Sequence, residues 1–367
     1  MPALFDPIAL RDLQLNNRIF ISPMCQYSGE EGSASSWHAM HLGQLAQSGA
    51  ACLIIEATGV SAAGRITKGC LGLYGDANES ALAAVLKSVR EWSAMPIGIQ
   101  LAHAGRKAST QRPWQGDGPL AADDGAWTCI APSPTAYNEG WHTPEALDRD
   151  GMKSVIGEFT QAVARAERLG LDLIEIHAAH GYLLSEFLSP LANKRADEYG
   201  GSAENRMRFP LEVATAMRAA WPAARPMGVR INGTDWLAGG IVIEEAIAFA
   251  GALKEIGLDF VCVSSGGNSA EAKIPATPGY QVALAGQIKA ATGLAVMTVG
   301  LVVDPHHADE IVASGEVDMV AIGRSVLDDP HWPWHAADSL GVPLDVPPQY
   351  ARARPATWPG AAFRKSG

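Results

Sequence analysis

Cysteine is scarce in this chain. The five residues, Cys25, Cys52, Cys70, Cys129 and Cys262, are an odd number with no C-x-x-C pair among them. Their scatter argues against a disulfide framework and against a structural zinc site, and it suits a reducing compartment. Basic clusters are missing as well. With 28 Lys and Arg against 39 Asp and Glu the formal net charge is −11, which repels nucleic acid and anionic membranes. No apolar run approaches the roughly 18 residues that a membrane helix needs, so no span is expected. The opening MPALFDPIALRDLQLNNRIF lacks a basic region followed by an apolar core and a small-residue cleavage site. Nothing in it directs export, and a cytoplasmic location is expected. A Gly-x-Gly-x-x-Gly turn, a solenoid-length repeat and a low-complexity tract are also absent. These absences leave a globular protein whose partner is a small molecule.

What is present is a regular alternation of apolar runs and amphipathic stretches. The runs predict strands over Arg18–Met24, Ala51–Glu56, Pro96–Ala102, Leu171–His177, Pro226–Ile231, Leu258–Ser264, Leu294–Val299 and Asp318–Ile322. Helices are expected between them, at Trp37–Ser48, Asn78–Ser93, Arg149–Leu169, Ala203–Trp221, Val242–Ile256, Tyr280–Ala291, Pro305–Ser314 and Pro333–Leu340. Several of these end at a glycine just before the next strand, as at Gly49, Gly170, Gly257, Gly293 and Gly315, the stop expected of an αβ loop. Eight βα units in series predict a (β/α)₈ TIM barrel, in 1–340, as a single domain with extended loops after strands 3 and 4. A doubly wound sheet would give fewer strands and a glycine fingerprint after the first. The two long connections, Ala104–Leu147 and Ala178–Gly201, leave the C-terminal ends of strands, where barrel enzymes keep their sites. The tail 341–367 has no strand left to form and is expected on the surface or at a subunit interface.

The chemistry gathers where strands end. The stretch LDLIEIHAAHGY breaks from an apolar run into His177, His180 and Tyr182, so two imidazoles and a phenol leave one buried strand together. His-x-x-His also occurs in metal sites, but no Asp or Glu in a matching loop completes a three-ligand set, and no metal is expected. Other strand ends bring Ser22, Pro23, Met24, Cys25 and Tyr27, then Ala57, Gln100, Arg230, Gly300, Gly323 and Arg324 to the same rim. Gly300 and Gly323-Arg324, after strands seven and eight, fit a phosphate site, since glycine lets backbone N–H groups approach and arginine adds charge-assisted bonds. A phosphate-bearing cofactor without a dinucleotide fingerprint leaves flavin mononucleotide (FMN) or pyridoxal phosphate. No predicted strand ends in the lysine that a Schiff base requires. A phosphate-binding module without turnover is a rival of another class, disfavoured by Tyr182 and the two histidines.

These residues carry a resemblance. SPMCQYS, IQLAHAGRKAS, IEIHAAHGYLLSEFLSP, NKRADEYGGSAENRMRFPLEV, TPGYQV, AIGR and QYAR, in that order from Leu4 to Arg352, resemble the Old Yellow Enzyme family of FMN-dependent ene-reductases, closest to its "thermophilic-like" bacterial branch. The resemblance implies that Ser22, Pro23, Met24, Cys25, Ala57, Gln100, Arg230, Gly323 and Arg324 contact FMN. It implies that Tyr27, His177 and His180 contact substrate, with Tyr182 as proton donor to the α carbon. NADPH, or NADH, would supply the hydride, and an activated C=C of an enone or nitro compound would receive it. A homodimer or homotetramer is implied too, with Arg352 reaching the neighbouring subunit's site. Cys25 stands where much of the wider family has threonine, and a thiol is the weaker hydrogen-bond donor. A 2,4-dienoyl-CoA reductase-like flavoenzyme is the second enzyme reading, but such chains carry a cysteine cluster and further domains that this sequence lacks.

Overall fold

The computed structural model describes residues 1–363; residues 364–367, the end of the expected tail, lie outside the described residues. Eight parallel strands close into a barrel: β1 (Ile19–Ile21), β2 (Cys52–Gly59), β3 (Ile97–Ala102), β4 (Leu173–Ala178), β5 (Met227–Asn232), β6 (Phe260–Ser264), β7 (Ala295–Val299) and β8 (Met319–Ile322). Each pairs with its sequence neighbours, and β8 returns to β1. Around it stand α1 (Ser36–Leu45), α2 (Asp76–Arg90), α3 (Arg149–Arg168), α4 (Ala203–Ala220), α5 (Ile243–Ile256), α6 (Val282–Thr292), α7 (Pro305–Ala313) and α8 (Trp332–Ser339). The (β/α)₈ expectation holds. Strands covered on both faces read as near-continuous apolar runs, and every residue of β2 to β6 is buried. No helix among the described residues is long and apolar enough to cross a membrane.

Side chains alternate across a strand, so each strand contributes inward residues in layers. The floor of the barrel interior is apolar: Leu10, Leu15, Phe20, Leu173, Phe260, Met297 and Met319 form one buried cluster. Two bulky members fit because their neighbours are glycine. A Cβ on Gly98 would stand 2.5 Å from Leu173, and one on Gly228 would stand 2.4 Å from Phe260. Two residues further along the strands the layer turns polar, with Gln100 paired to Glu175 and Cys262 to Arg230. Above it come His177, Asn232 and Ser264. The barrel is therefore closed at one end and carries its polar groups to the other.

Three features depart from the sequence reading. Leu10 and Leu15 belong to an antiparallel hairpin, Ile8–Leu10 with Leu13–Leu15, that plugs the floor and was not predicted. β2 runs three residues past Glu56, with a register irregularity between Ile55 and Thr58, because Thr58 Oγ1 donates to Glu56 O at 2.8 Å where the ladder is broken. The long loop after β4 contains a helix, Leu183–Leu188, buried at every position and so without amphipathic period. Beyond Gly341 the chain packs beside α8: the Tyr350 ring lies 5.7 Å from Trp334, and Arg354 pairs with Asp338.

Candidate active site

At the polar end an open cleft of about 520 Å³ is lined by Ser22, Pro23, Met24, His180, Arg230, Gly300, Gly323 and Arg324, with Ser264, Tyr280 and Gln281. Eight residues read from strand ends thus share one wall. Arg230 reaches it from β5, where its guanidinium is buried, donates from Nη1 to Ser22 Oγ at 3.1 Å and leaves Nε without a partner. Beneath it Glu175 is wholly buried and accepts from Gln100 Nε2 at 2.7 Å. Burial raises this carboxyl, and Arg230 and then Gln100 oppose the rise. Because Gln100 spends its N–H on Glu175, its carbonyl oxygen remains available toward the cleft side of the layer.

His177, His180 and Tyr182 form a second group. The His177 ring centroid lies 5.1 Å from that of His180 and 4.8 Å from that of Tyr182, edge-on in both cases. Burial first, then the charges of Arg230 and Lys107, push His177 well below the ordinary imidazole value. His180 is lowered by burial, Arg230, His177 and Lys107. Both rings are therefore neutral at pH 7, and each has one N–H to give. Nδ1 of His177 accepts the N–H of Ala179 at 3.2 Å, which assigns its hydrogen to Nε2. His180 places Nε2 2.7 Å from Ser264 Oγ; with the hydroxyl as donor there, Nδ1 carries the remaining hydrogen. Burial, followed by the neighbouring Cys25 and Tyr27, raises the Tyr182 phenol well above its ordinary value, so it stays protonated.

The backbone that carries these groups is held from three sides. Lys107 Nζ donates to His180 O at 2.9 Å and to Gly267 O at 3.3 Å, and lies 5.3 Å from the Tyr182 ring centroid. Burial pushes this ammonium down to about 8. His180 N–H donates to Asn232 Oδ1 at 3.2 Å. Gly181 lies against Gly267 so closely that a Cβ on Gly181 would stand 2.1 Å from Gly267 O, at φ +72°. Farther out, Asp235 Oδ2 accepts from Ser189 Oγ at 2.6 Å and Ile241 N at 2.9 Å. Its Oδ1 accepts from Asn268 Nδ2 at 2.8 Å and Asn232 Nδ2 at 3.2 Å, so one buried carboxylate joins the loops after β4, β5 and β6.

Cys25 lies beside Ala57, its hydrogen-bond neighbour on β2, and Glu56 accepts the N–H of Gln26 at 3.0 Å, fixing the chain as it leaves β1. Tyr27 follows at φ +51°, its ring 5.9 Å edge-on from Trp114. Arg352 is exposed and does not line the cleft of its own chain. Sequence reasoning missed Glu175, Lys107, Ser264, Asn232 and Asp235. Glu175 alone had a local signal, a carboxylate at the inward period of an otherwise apolar strand.

The cleft suits a flavin phosphate on its own geometry. Gly300, at φ +123°, has no room for a side chain, since a Cβ would stand 2.7 Å from Gln281 Nε2 and 2.8 Å from Tyr280. At Gly323 a Cβ would meet nothing closer than Met24 Sδ at 3.7 Å, so packing within the chain does not require glycine there and the backbone stays open to a ligand. Arg324 is exposed at the cleft, with no hydrogen bond or ion pair to the described residues. Together with the unpartnered Arg230 Nε, these groups fit an anionic, hydrogen-bonding cofactor.

Residues 3–341 match the NADH:flavin oxidoreductase / NADH oxidase family. The chain is 40% identical over 351 residues to an NADPH dehydrogenase of Geobacillus thermodenitrificans (strain NG80-2), covering 95% of this chain and 98% of that one. Among solved structures it superimposes on morphinone reductase with a TM-score of 0.76 at 28% identity, over 97% of this chain and 92% of the other. It also spans 53% of the length of a 2-naphthoyl-CoA reductase, with a TM-score of 0.83 at 23% identity over 94% of this chain, a likeness of fold alone.

Proposed function

This chain belongs to the NADH:flavin oxidoreductase / NADH oxidase family, whose members are FMN-dependent oxidoreductases, and from that premise we propose that it reduces activated C=C bonds of α,β-unsaturated carbonyl or nitro compounds. Bound FMN would supply hydride chemistry, taking a hydride from NADPH or NADH and giving one to the β carbon of the substrate. Ser22, Pro23, Met24, Cys25, Ala57, Gln100 and Arg230 would hold the flavin ring, and Gly300, Gly323 and Arg324 its phosphate. His177 and His180, both neutral, would donate to the carbonyl or nitro oxygen and stabilise the negative charge that develops there. Tyr182, kept protonated by burial, would deliver the proton to the α carbon. Tyr27 would border the same substrate space.

One observation carries the reading: two neutral imidazoles and one protonated phenol stand within 5.1 Å, ring to ring, around His177. Such a set can hold an oxyanion and give a proton without any charged acid. We further propose that the protein works in the cytoplasm as a homodimer or homotetramer, with the tail 341–367 at the subunit interface and Arg352 in the partner's site. An absorption spectrum taken before and after anaerobic NADPH, and again after 2-cyclohexenone, tests the chemistry. Bleaching of the flavin band followed by its return is expected. A band that bleaches but does not return with enones or nitroalkenes would remove the C=C reading and leave the family assignment intact.

A further inference from the structure

Cys25 and Cys70 are 45 positions apart and come from different βα units, yet their chain segments run side by side. Gly29 N donates to Gly69 O at 2.7 Å, and Arg112 Nε donates to Tyr27 O at 2.8 Å. Gly69 leaves no gap, since a Cβ there would stand 2.2 Å from Tyr27 O. Between these fixed points the Cys25 thiol hydrogen-bonds to the Cys70 sulfur. Cys70 Sγ also accepts from Thr67 N at 3.3 Å and lies 3.4 Å from Thr67 Oγ1. The remaining thiols are engaged elsewhere: Cys52 with Leu53 O, Cys129 with Ala108 O and Cys262 with Glu175.

The two sulfurs differ in the way a reactive pair requires. Cys70 is 1% exposed, whereas Cys25 is only partly buried. Burial would raise Cys70, but the hydrogen bonds from Cys25 and Thr67 outweigh it and hold this thiol below its ordinary value. Cys25 is raised, first by its bond to Cys70 and then by burial. The proton on Cys25 thus has a ready acceptor in the sulfur beside it, and a thiol becomes a nucleophile only as it loses that proton.

We propose that Cys25 and Cys70 are a redox-active dithiol that hydroperoxides convert into an intramolecular disulfide at the edge of the active site. In the first step Cys25 attacks the terminal oxygen of the hydroperoxide as its proton passes to Cys70. The O–O bond breaks, the alcohol (water, for hydrogen peroxide) leaves with a proton, and Cys25 becomes a sulfenic acid. In the second step Cys70 attacks the Cys25 sulfur, the S–O bond breaks and water leaves. Two thiols lose one electron each, and the peroxide bond takes up both. An external dithiol reverses the change. The inference needs the contact between the two thiols and does not depend on Cys25 touching flavin or on the substrate class.

The test uses the holoprotein treated with one equivalent of hydrogen peroxide, followed by thiol counting in denaturant and peptide mapping. The count should fall from five to three, with one new cross-linked peptide joining Cys25 and Cys70 and lighter than its reduced parts by two hydrogens. Dithiothreitol should restore all five. In Cys70→Ser the cross-link should vanish and dimedone should label Cys25 instead, because the sulfenic acid has lost its resolving thiol. Five thiols persisting in the wild type, a cross-link to another cysteine, or dimedone-labelled Cys25 with Cys70 present would overturn the proposal. The wild-type map decides the matter even if the serine variant folds poorly.

Discussion

Gly181→Ala tests the placement of the catalytic group most directly, because Gly181 lies between His180 and Tyr182 and has no room to give. Two costs add. At φ +72° an alanine Cβ meets its own backbone, a penalty of roughly 1–2 kcal/mol. The same Cβ would stand 2.1 Å from Gly267 O and 2.7 Å from Gly267 C, against rigid backbone, and overpacking of this kind costs about 1–3 kcal/mol. The expected loss is therefore about 2–5 kcal/mol by urea denaturation. Gly239→Ala separates the terms, because it shares the conformation, at φ +76°, with nothing within 4 Å. That control should show the conformational part alone. In the folded variant the loop must shift, and a displacement of about 1 Å in a catalytic group can cost on the order of 10² in rate. Flavin content should stay near wild type while reoxidation by 2-cyclohexenone slows. Equal destabilisation by the two substitutions would refute the close approach of Gly181 to Gly267.

Tyr182→Phe should spare reduction by NADPH and slow reoxidation by 2-cyclohexenone by on the order of 10² to 10⁴ in stopped-flow traces, since only the second step needs a proton; an unchanged rate would reassign the proton to water. His177→Ala and His180→Ala should each weaken binding of phenolic inhibitors by roughly 1.5–3 kcal/mol, read from the long-wavelength charge-transfer band, through loss of a hydrogen bond to a charged oxygen. Lys107 sets a pH signature: its folded value of about 8 lies below its ordinary 10.5, so the stability it contributes is present above 10.5 and lost as pH falls through 8. The wild type should therefore gain stability relative to Lys107→Met across that window in urea titrations, and a flat difference would contradict the burial of the ammonium. Glu186, raised by burial to about 8 from 4.5, acts in the opposite sense over a lower window, losing stability as pH rises. Mixing Tyr182→Phe with Arg352→Ala should restore activity if Arg352 works in the partner's site, because one site of each mixed dimer then carries neither lesion; no recovery with subunit exchange shown by mass spectrometry would place Arg352 elsewhere.

The barrel was legible because its strands are buried on both faces and end at glycines. The run Pro96–Ala102 became Ile97–Ala102, and Pro305–Ser314 became the helix Pro305–Ala313. The floor hairpin was not legible, since two strands of three residues leave too little pattern. His177, His180 and Tyr182 could be picked out because they interrupt an apolar run. Their supports could not: Ser264 meets His180 across 84 positions and Lys107 reaches it across 73. A closed barrel makes such partners neighbours, and no local period records it. The tight conformation of Gly181 has the same origin, in a backbone contact 86 positions away with Gly267.

The Asp235 junction has a bearing on how this scaffold could acquire new substrates. With both carboxylate oxygens filled by donors from the loops after β4, β5 and β6, a substitution in one of those loops is transmitted to the other two. That side of the rim behaves as a single mechanical part. The segment after β3 is tied differently, through Arg106 and Lys107 to backbone carbonyls of the opposing loops, and most of its length from Pro113 to Asp124 lies exposed. Diversification of substrate range would then concentrate in the β3 segment, where insertions and exchanges leave the histidines and the phenol in register.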